Sequence, residues 1–72
     1  MELEWNDRHD TLVAREAGHQ VTVTVRDRDG PDGWDGYLVS DDTGTYTLTT
    51  YDAGEAEQHA EWIARRALQD RR

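Results

Sequence analysis

The sequence predicts an α+β fold, in which a small antiparallel sheet of three to five strands carries one C-terminal helix on one face. Three segments between residues 20 and 51 have the composition of strands and are separated by turn-forming residues. The segment after Asp52 instead repeats apolar residues at intervals of three and four, as an amphipathic helix does. The 72 residues are expected to form a single α+β domain over positions 1–72.

The first twenty residues allow two interpretations. In the first, residues 11–15 form a strand that turns at Ala17 and Gly18, and residues 3–5 add another short strand. In the second, a helix capped by Asn6 begins near Asp7 and ends at Gly18. We favour the strand, because the β-branched residues within 11–15 suit a sheet and the helix would present only a narrow apolar stripe.

The clearest strand is predicted over residues 20–28, where valine alternates with threonine and arginine. Successive side chains of a strand point to opposite faces of the sheet. The valines are therefore expected to face the core, whereas Thr22, Thr24 and Arg26 are expected on the other face.

Two further strands complete the predicted antiparallel meander. They are expected over residues 34–40 and 45–51, and the second of these is rich in threonine. The turn-forming residues 29–33, which include the only proline, precede the first of them. Residues 41–44 form a tight connection between the two, in which Gly44 is free to adopt a positive φ.

The final segment has the signals of a complete helix. Asp52 is a suitable N-cap, and Glu55 follows three residues later, as in a capping box. Early glutamates and late arginines are expected to complement the helix dipole. One face is apolar and is predicted to pack on the sheet through Ala56, Ala60, Ile63, Ala64, Ala67 and Leu68.

One helix covers only one face of a sheet, so the second face is predicted either to be solvated or to be buried in a partner. We expect threonine and arginine on this second face, together with some of four larger side chains. The four are Trp34, Tyr37, Val39 and Tyr51.

The charge composition is unusual for a chain of this length. It contains no lysine, and 16 acidic residues against eight arginines give a net charge of −8. This composition resembles that of small acidic proteins of halophilic archaea, which work in molar intracellular salt. At about 1 M salt the Debye length is only about 3 Å, so most of the repulsion between carboxylates is screened. The N-terminal residues have no signal-peptide pattern, and no apolar run could span a membrane, so a cytoplasmic protein is expected.

The sequence offers no constellation typical of catalysis, metal binding or cofactor binding. There is no cysteine, and the three histidines, at positions 9, 19 and 59, lack a compact ligand spacing. Ser40 is the only serine and is not part of a nucleophile elbow. We therefore expect a non-enzymatic protein, and the sequence identifies no small-molecule substrate.

The most suggestive single residue is Trp62. It projects away from the apolar face of the predicted helix, and Arg66 lies one turn further on, where a guanidinium can stack on an indole. From Trp62 to the end of the chain, four arginines stand against one aspartate, which makes this end basic. The candidate binding residues are Trp62, Arg65, Arg66, Trp34 and Tyr37.

These features favour a protein that self-associates or docks on a protein partner. The contact would use either the helix-free face of the sheet or the face around Trp62 and Arg66. The alternative is a nucleic-acid-binding module that uses the arginine-rich C-terminal helix, with Arg26 and Arg28 as possible additional contacts. Nucleic acid is the less favoured partner, because the net charge of −8 repels polyanions and high salt weakens phosphate binding.

The composition makes stability depend on salt. We expect cooperative unfolding or loosening as potassium chloride is lowered from multimolar to dilute, because the repulsion among carboxylates is then no longer screened. Circular dichroism during heating measures the change. Sucrose serves as the control, because it favours burial without screening charge and should not replace the salt. A melting temperature that is unchanged between dilute and multimolar salt would contradict the halophilic interpretation.

Overall fold

The structure, a computed structural model, describes residues 1–29 and 35–71 of the chain. Within these residues, five strands precede one helix: β1 (Glu2–Trp5), β2 (Thr11–Glu16), β3 (His19–Arg28), β4 (Gly36–Asp41), β5 (Thr47–Thr50) and α1 (Ala53–Asp70). The strands form one antiparallel sheet in the order of the sequence, so each pairs with the next along the chain. Because α1 packs against this sheet, the predicted α+β fold is confirmed.

The first twenty residues form two strands, and the alternative helix is wrong. β2 and β3 are joined by Ala17 and Gly18, both at positive φ (51° and 82°), as in a two-residue hairpin turn that matches the twist of its strands. Asn6 does not cap a helix. Its side-chain oxygen accepts hydrogen bonds from the backbone N–H groups of Asp10 and Thr11, at 3.0 and 3.1 Å, and so orders the β1–β2 connection.

The last two strands differ in their bounds from the prediction. β4 extends to Asp41, and β5 begins only at Thr47, because the intervening residues fold around the buried carboxylate of Asp41. That carboxylate accepts hydrogen bonds from the hydroxyl of Thr43 at 2.6 Å and from the backbone N–H of Tyr46 at 3.1 Å. Gly44 has a φ of 74°, as the turn prediction requires.

The core lies between the sheet and α1. The predicted apolar face of the helix is buried throughout, and it meets residues of the three central strands. The buried strand residues are Leu12, Ala14, Val21, Val23 and Val39. The alanines of the helix leave room for these valines, so helix and sheet pack closely and exclude water from both apolar surfaces.

The start of α1 has a modified capping box. The Asp52 side chain accepts a hydrogen bond from the backbone N–H of Glu55 at 3.0 Å, as predicted. The Glu55 carboxylate does not return directly to Asp52, because the hydroxyl of Thr50 donates to it at 2.7 Å. The same hydroxyl accepts a hydrogen bond from the Asp52 backbone N–H at 3.3 Å, and it therefore links the end of β5 to the first turn of the helix.

Two residues expected on the helix-free face lie on the other one. Val39 is fully buried in the core, and Tyr37 is half-buried and packs against the core. They share the helix side because β4 pairs with β3 in a register that sets Val39 opposite Val25. Tyr51 is 60% exposed, and Trp34 lies outside the described residues. No helix of the described residues combines the length and the apolar composition that crossing a membrane requires.

Gly36 is a position where even a methyl group is expected to destabilise the fold. A Cβ atom there would stand 2.6 Å from the carbonyl oxygen of Thr50 and 2.9 Å from the ring of Tyr51. Gly36→Ala is expected to lower the free energy of unfolding by about 1–3 kcal/mol, since β4 and β5 must separate to admit the methyl group.

Denaturant unfolding in multimolar salt measures this change. Thr49→Ala, at an exposed position of β5, is the matched control and should cost less than about 1 kcal/mol. Equal stability of Gly36→Ala and the wild type would show that the two strands do not approach so closely.

Candidate interaction surface

Trp62 points outward from α1, as the helical spacing predicts. Its side chain is 53% exposed, and its ring meets the edge of Tyr46, with centroids 6.2 Å apart and planes at 84°. Tyr46 immediately precedes β5, so this contact joins the outer side of the helix to the edge of the sheet. Such an edge-to-face pair holds the indole in one orientation while leaving much of it open to solvent.

Arg66 and Asp70 extend the same side of the helix, at steps of four residues from Trp62. The hydroxyl of Tyr46 donates to the carboxylate of Asp70, which raises the pKa of Tyr46. The guanidinium of Arg66 stands beside the same hydroxyl and partly offsets that increase in the pKa. Tyr46 is thus the residue that ties Trp62, Arg66 and Asp70 together, although the sequence did not single it out.

β5 forms one edge of the sheet, and it differs in charge from the opposite edge. Residues 44–51 include no charged residue, although a third of the chain is charged. At the other edge, β1 carries Glu2 and Glu4, and the carboxylate of Glu4 lies 3.4 Å from the guanidinium of Arg15. Charged side chains protect a strand edge from pairing with other chains. β1 therefore has this protection and β5 does not.

The exposed aromatic side chains lie on either side of β5. Among the described residues, the exposed large hydrophobic side chains are Met1, Tyr51 and Trp62. Tyr51 directly follows β5, and Trp62 contacts Tyr46 directly before it. We call the surface formed by Tyr46, β5, Tyr51 and Trp62 the β5 edge surface. Its sequence signal was the uncharged segment 44–51, but which strand stands at an edge depends on the topology.

The arginines of the C-terminal end do not form one cluster. Arg65 and Arg66 lie within α1, and the last turn of the helix has no basic residue, so the expected dipole complement by late arginines is wrong. Arg71 is tied into the fold. Its guanidinium pairs with the carboxylate of Asp42 and donates to the backbone oxygen of Gln20 at 2.6 Å. Arg72 lies outside the described residues.

Tyr37 belongs to a different part of the molecule from Trp62. It lines an open groove of about 550 Å³ with Val25, Ala53 and Ala56, where the first turns of α1 approach the sheet. The groove also contains His9, whose ring stacks on Trp5 and lies 3.2 Å from the carboxylate of Glu57. Of the predicted binding residues, the structure therefore brings together Trp62 and Arg66 and places Tyr37 elsewhere.

The helix-free face of the sheet is less acidic than the rest of the protein. Strand alternation places no acidic residue outward within the described strands β2 to β5, whereas Arg15, Arg26 and Arg28 all project there. The remaining outward positions are mostly threonine and serine. The acidic residues of this face belong to β1, where Glu2 and Glu4 project outward and Glu4 pairs with Arg15.

Comparisons with known proteins assign no function to these surfaces. The chain matches no protein-family model, and no curated protein or solved structure matches it either. Among residues 1–29 and 35–71, no three histidine, aspartate or glutamate side chains converge so as to hold a metal ion. A function must therefore be inferred from the surfaces themselves.

The ion pair between Asp42 and Arg71 is expected to stabilise the fold, because it joins the end of α1 to the residue that follows β4. The guanidinium of Arg71 lowers the pKa of Asp42, so this contribution is fully present above the unfolded pKa of about 4 and is lost as the pH falls through the lower folded pKa. Arg71→Gln is expected to lower the free energy of unfolding by about 1 kcal/mol at neutral pH, since the pair is partly exposed.

Unfolding by denaturant at several pH values measures the effect. The difference between the wild type and Arg71→Gln should shrink below about pH 4, because Asp42 is protonated there in the unfolded chain and, at lower pH, in the folded protein as well. Arg65→Gln, at an exposed helix position, is the control and should change stability little. A constant difference across the acid range would show that the ion pair is not the source of the stabilisation.

Proposed function

We propose that this chain is a non-enzymatic, salt-adapted protein that acts by self-association in a cytoplasm of molar salt. The observation that carries the proposal is the β5 edge surface, an uncharged strand edge with an exposed tryptophan on a chain of net charge −8. Monomeric proteins usually protect such edges. A surface that is kept uncharged on so acidic a protein is explained if it is covered in the working state.

Electrostatics limits where two copies can meet. Over most of the surface, two copies would bring carboxylates together, and this repulsion opposes association. Molar salt screens charges at a distance, but carboxylates in direct contact must still lose water. The β5 edge surface reduces this cost, since its own residues carry no carboxylate and the neighbouring carboxylate of Asp70 accepts a hydrogen bond from Tyr46.

The small core gives self-association a second role. A domain of this size rarely obtains more than about 3–5 kcal/mol from a single core, and this chain has no cysteine to form a disulfide. An indole ring is a large apolar surface and contributes strongly where it is buried between proteins. Burial of Trp62 would therefore stabilise the fold and the assembly together.

Nucleic-acid binding is the second candidate, and the charge of the helix-free face favours it. Arg26 and Arg28 project from that face without an acidic neighbour on the outward positions of β2 to β5, whereas Arg15 pairs with Glu4 of β1. A polyanion would therefore approach the sheet and not the C-terminal helix, where the guanidinium of Arg71 is occupied by Asp42. High salt weakens contacts to phosphate, which is why protein self-association is the preferred proposal.

The oligomeric state in multimolar potassium chloride tests the proposed function. Light scattering coupled to size exclusion is expected to give twice the chain mass of 8.3 kDa. Fluorescence titration with labelled single-stranded RNA and DNA in the same salt is the second arm. A protein that stays monomeric at every concentration would contradict self-association. Saturable RNA binding that Arg26→Ala weakens would favour the alternative instead.

A further inference from the structure

We infer that two copies of this chain pair along β5 about a two-fold axis perpendicular to the sheet. The pairing joins two sheets of five strands into one continuous sheet and places both α1 helices on the same side. The inference rests on the proposed self-association and names the surface and the symmetry of the contact. A two-fold axis through an edge makes the two copies of β5 antiparallel, so one strand can satisfy the other's free backbone groups.

The two edges of the sheet differ in charge and not in length. β1 and β5 each have four residues, so shortness protects both equally. β1 carries two glutamates, whereas β5 consists of threonine and leucine, which both the pleat and a neighbouring strand accept. Within the described chain, β5 is the edge strand whose own residues carry no carboxylate.

The charges of α1 do not select the orientation of a second copy, because both signs occur in its second half. Its first half carries Glu55, Glu57 and Glu61, and its second half carries Arg65, Arg66 and Asp70. Glu57 lies 3.2 Å from His9, on the β1–β2 side of the helix, so it does not face a copy paired along β5. The two-fold axis makes the two helices antiparallel, and the pairing rests on the β5 edge and on Trp62.

Trp62 lies at the centre of that contact. It is the tenth of the 18 residues of α1, so in an antiparallel pair the two tryptophans stand on either side of the axis. α1 lies mainly over β3 and β4, and strands are about 4.8 Å apart, which places the helix axis about 10 Å from a two-fold axis just outside β5.

The two helix axes would then be about 19 Å apart, well beyond the 8–10 Å of directly packed helices. Only large side chains fill such a gap. Trp62, held on its inner side by Tyr46, has the size and the position to do so.

The helix-free face fits a second copy less well. Two such faces in contact would bring together Arg26 and Arg28 of both copies, whereas Arg15 is already paired with Glu4 of β1. The other outward positions are mostly threonine and serine, which offer little apolar surface to bury. The edge contact has neither disadvantage, because it forms backbone hydrogen bonds and buries aromatic rings.

Substitutions at exposed positions test the arrangement in multimolar salt. Trp62→Ala is expected to raise the dimer dissociation constant by about tenfold or more, as loss of a central aromatic residue does. Thr49→Arg adds a charge to the β5 edge and is expected to have an effect of similar size. Glu2→Arg adds the same side chain to the opposite edge and should leave the dissociation constant unchanged. Circular dichroism establishes that each variant is folded.

Disulfide formation tests the pairing along β5 without weakening the dimer. The described chain has no cysteine, so Thr49→Cys provides one thiol on β5 and Glu2→Cys provides one on β1. On mild oxidation, Thr49→Cys is expected to become a linked dimer rapidly, and Glu2→Cys is not, because side chains on paired strands lie within about 5–8 Å of each other.

The outcomes separate this inference from the proposed function. A wild-type monomer would overturn both. A wild-type dimer that persists in folded Trp62→Ala and Thr49→Arg, or that links as fast through Glu2→Cys as through Thr49→Cys, would overturn the edge pairing and leave self-association intact. Loss of the dimer in the two edge variants alone, with selective linking through Thr49→Cys, would support the inference.

Discussion

The close packing of α1 on the valines of the sheet is the interaction on which the rest of the structure depends. Alanines, Ile63 and Leu68 on the helix meet Leu12 and the buried valines of the sheet, and these residues together form the core. Because one helix is available, only one face of the sheet is covered. Because α1 lies over the central strands, it leaves the outer edge of β5 open and turns Trp62 toward that edge. The surfaces available for function are therefore consequences of how this core is built.

Charge divides the exterior into regions with different roles. Acidic residues cover the helix, the loops and β1, the helix-free face of β2 to β5 carries arginine and hydroxyl groups, and the residues of the β5 edge surface carry no charge. A chain of net charge −8 can contact a copy of itself only where direct contact does not bury carboxylates. Molar salt removes repulsion at a distance, so the uncharged region decides where association occurs. The same distribution of charge therefore underlies both the proposed adaptation to salt and the proposed position of the interface.

Three sets of polar contacts fix β5 and the turn before it relative to the rest of the fold. The buried carboxylate of Asp41 orders the turn before β5, Arg71 joins the end of the helix to Asp42 and to β3, and Thr50 joins β5 to the first turn of α1. Together these contacts fix the position of α1 relative to the sheet at both ends of the helix. An edge strand that is held in this way can offer a partner a rigid set of backbone groups, and rigidity lowers the entropy cost of association.

Local patterns in the sequence determined the order and type of the elements and the buried sides of β3 and α1. Alternating valines predicted β3, helical spacing predicted all six buried residues of α1, and Asp52 with Glu55 predicted its start. These signals are local because they depend on the periods of strand and helix. The tertiary structure alone decided that Val39 and Tyr37 face the core, since the face of a strand residue depends on its register with a neighbouring strand. It also decided that Trp62 meets Tyr46 and that Arg71 reaches the backbone of Gln20, 51 residues away, because such contacts depend on how the chain closes on itself.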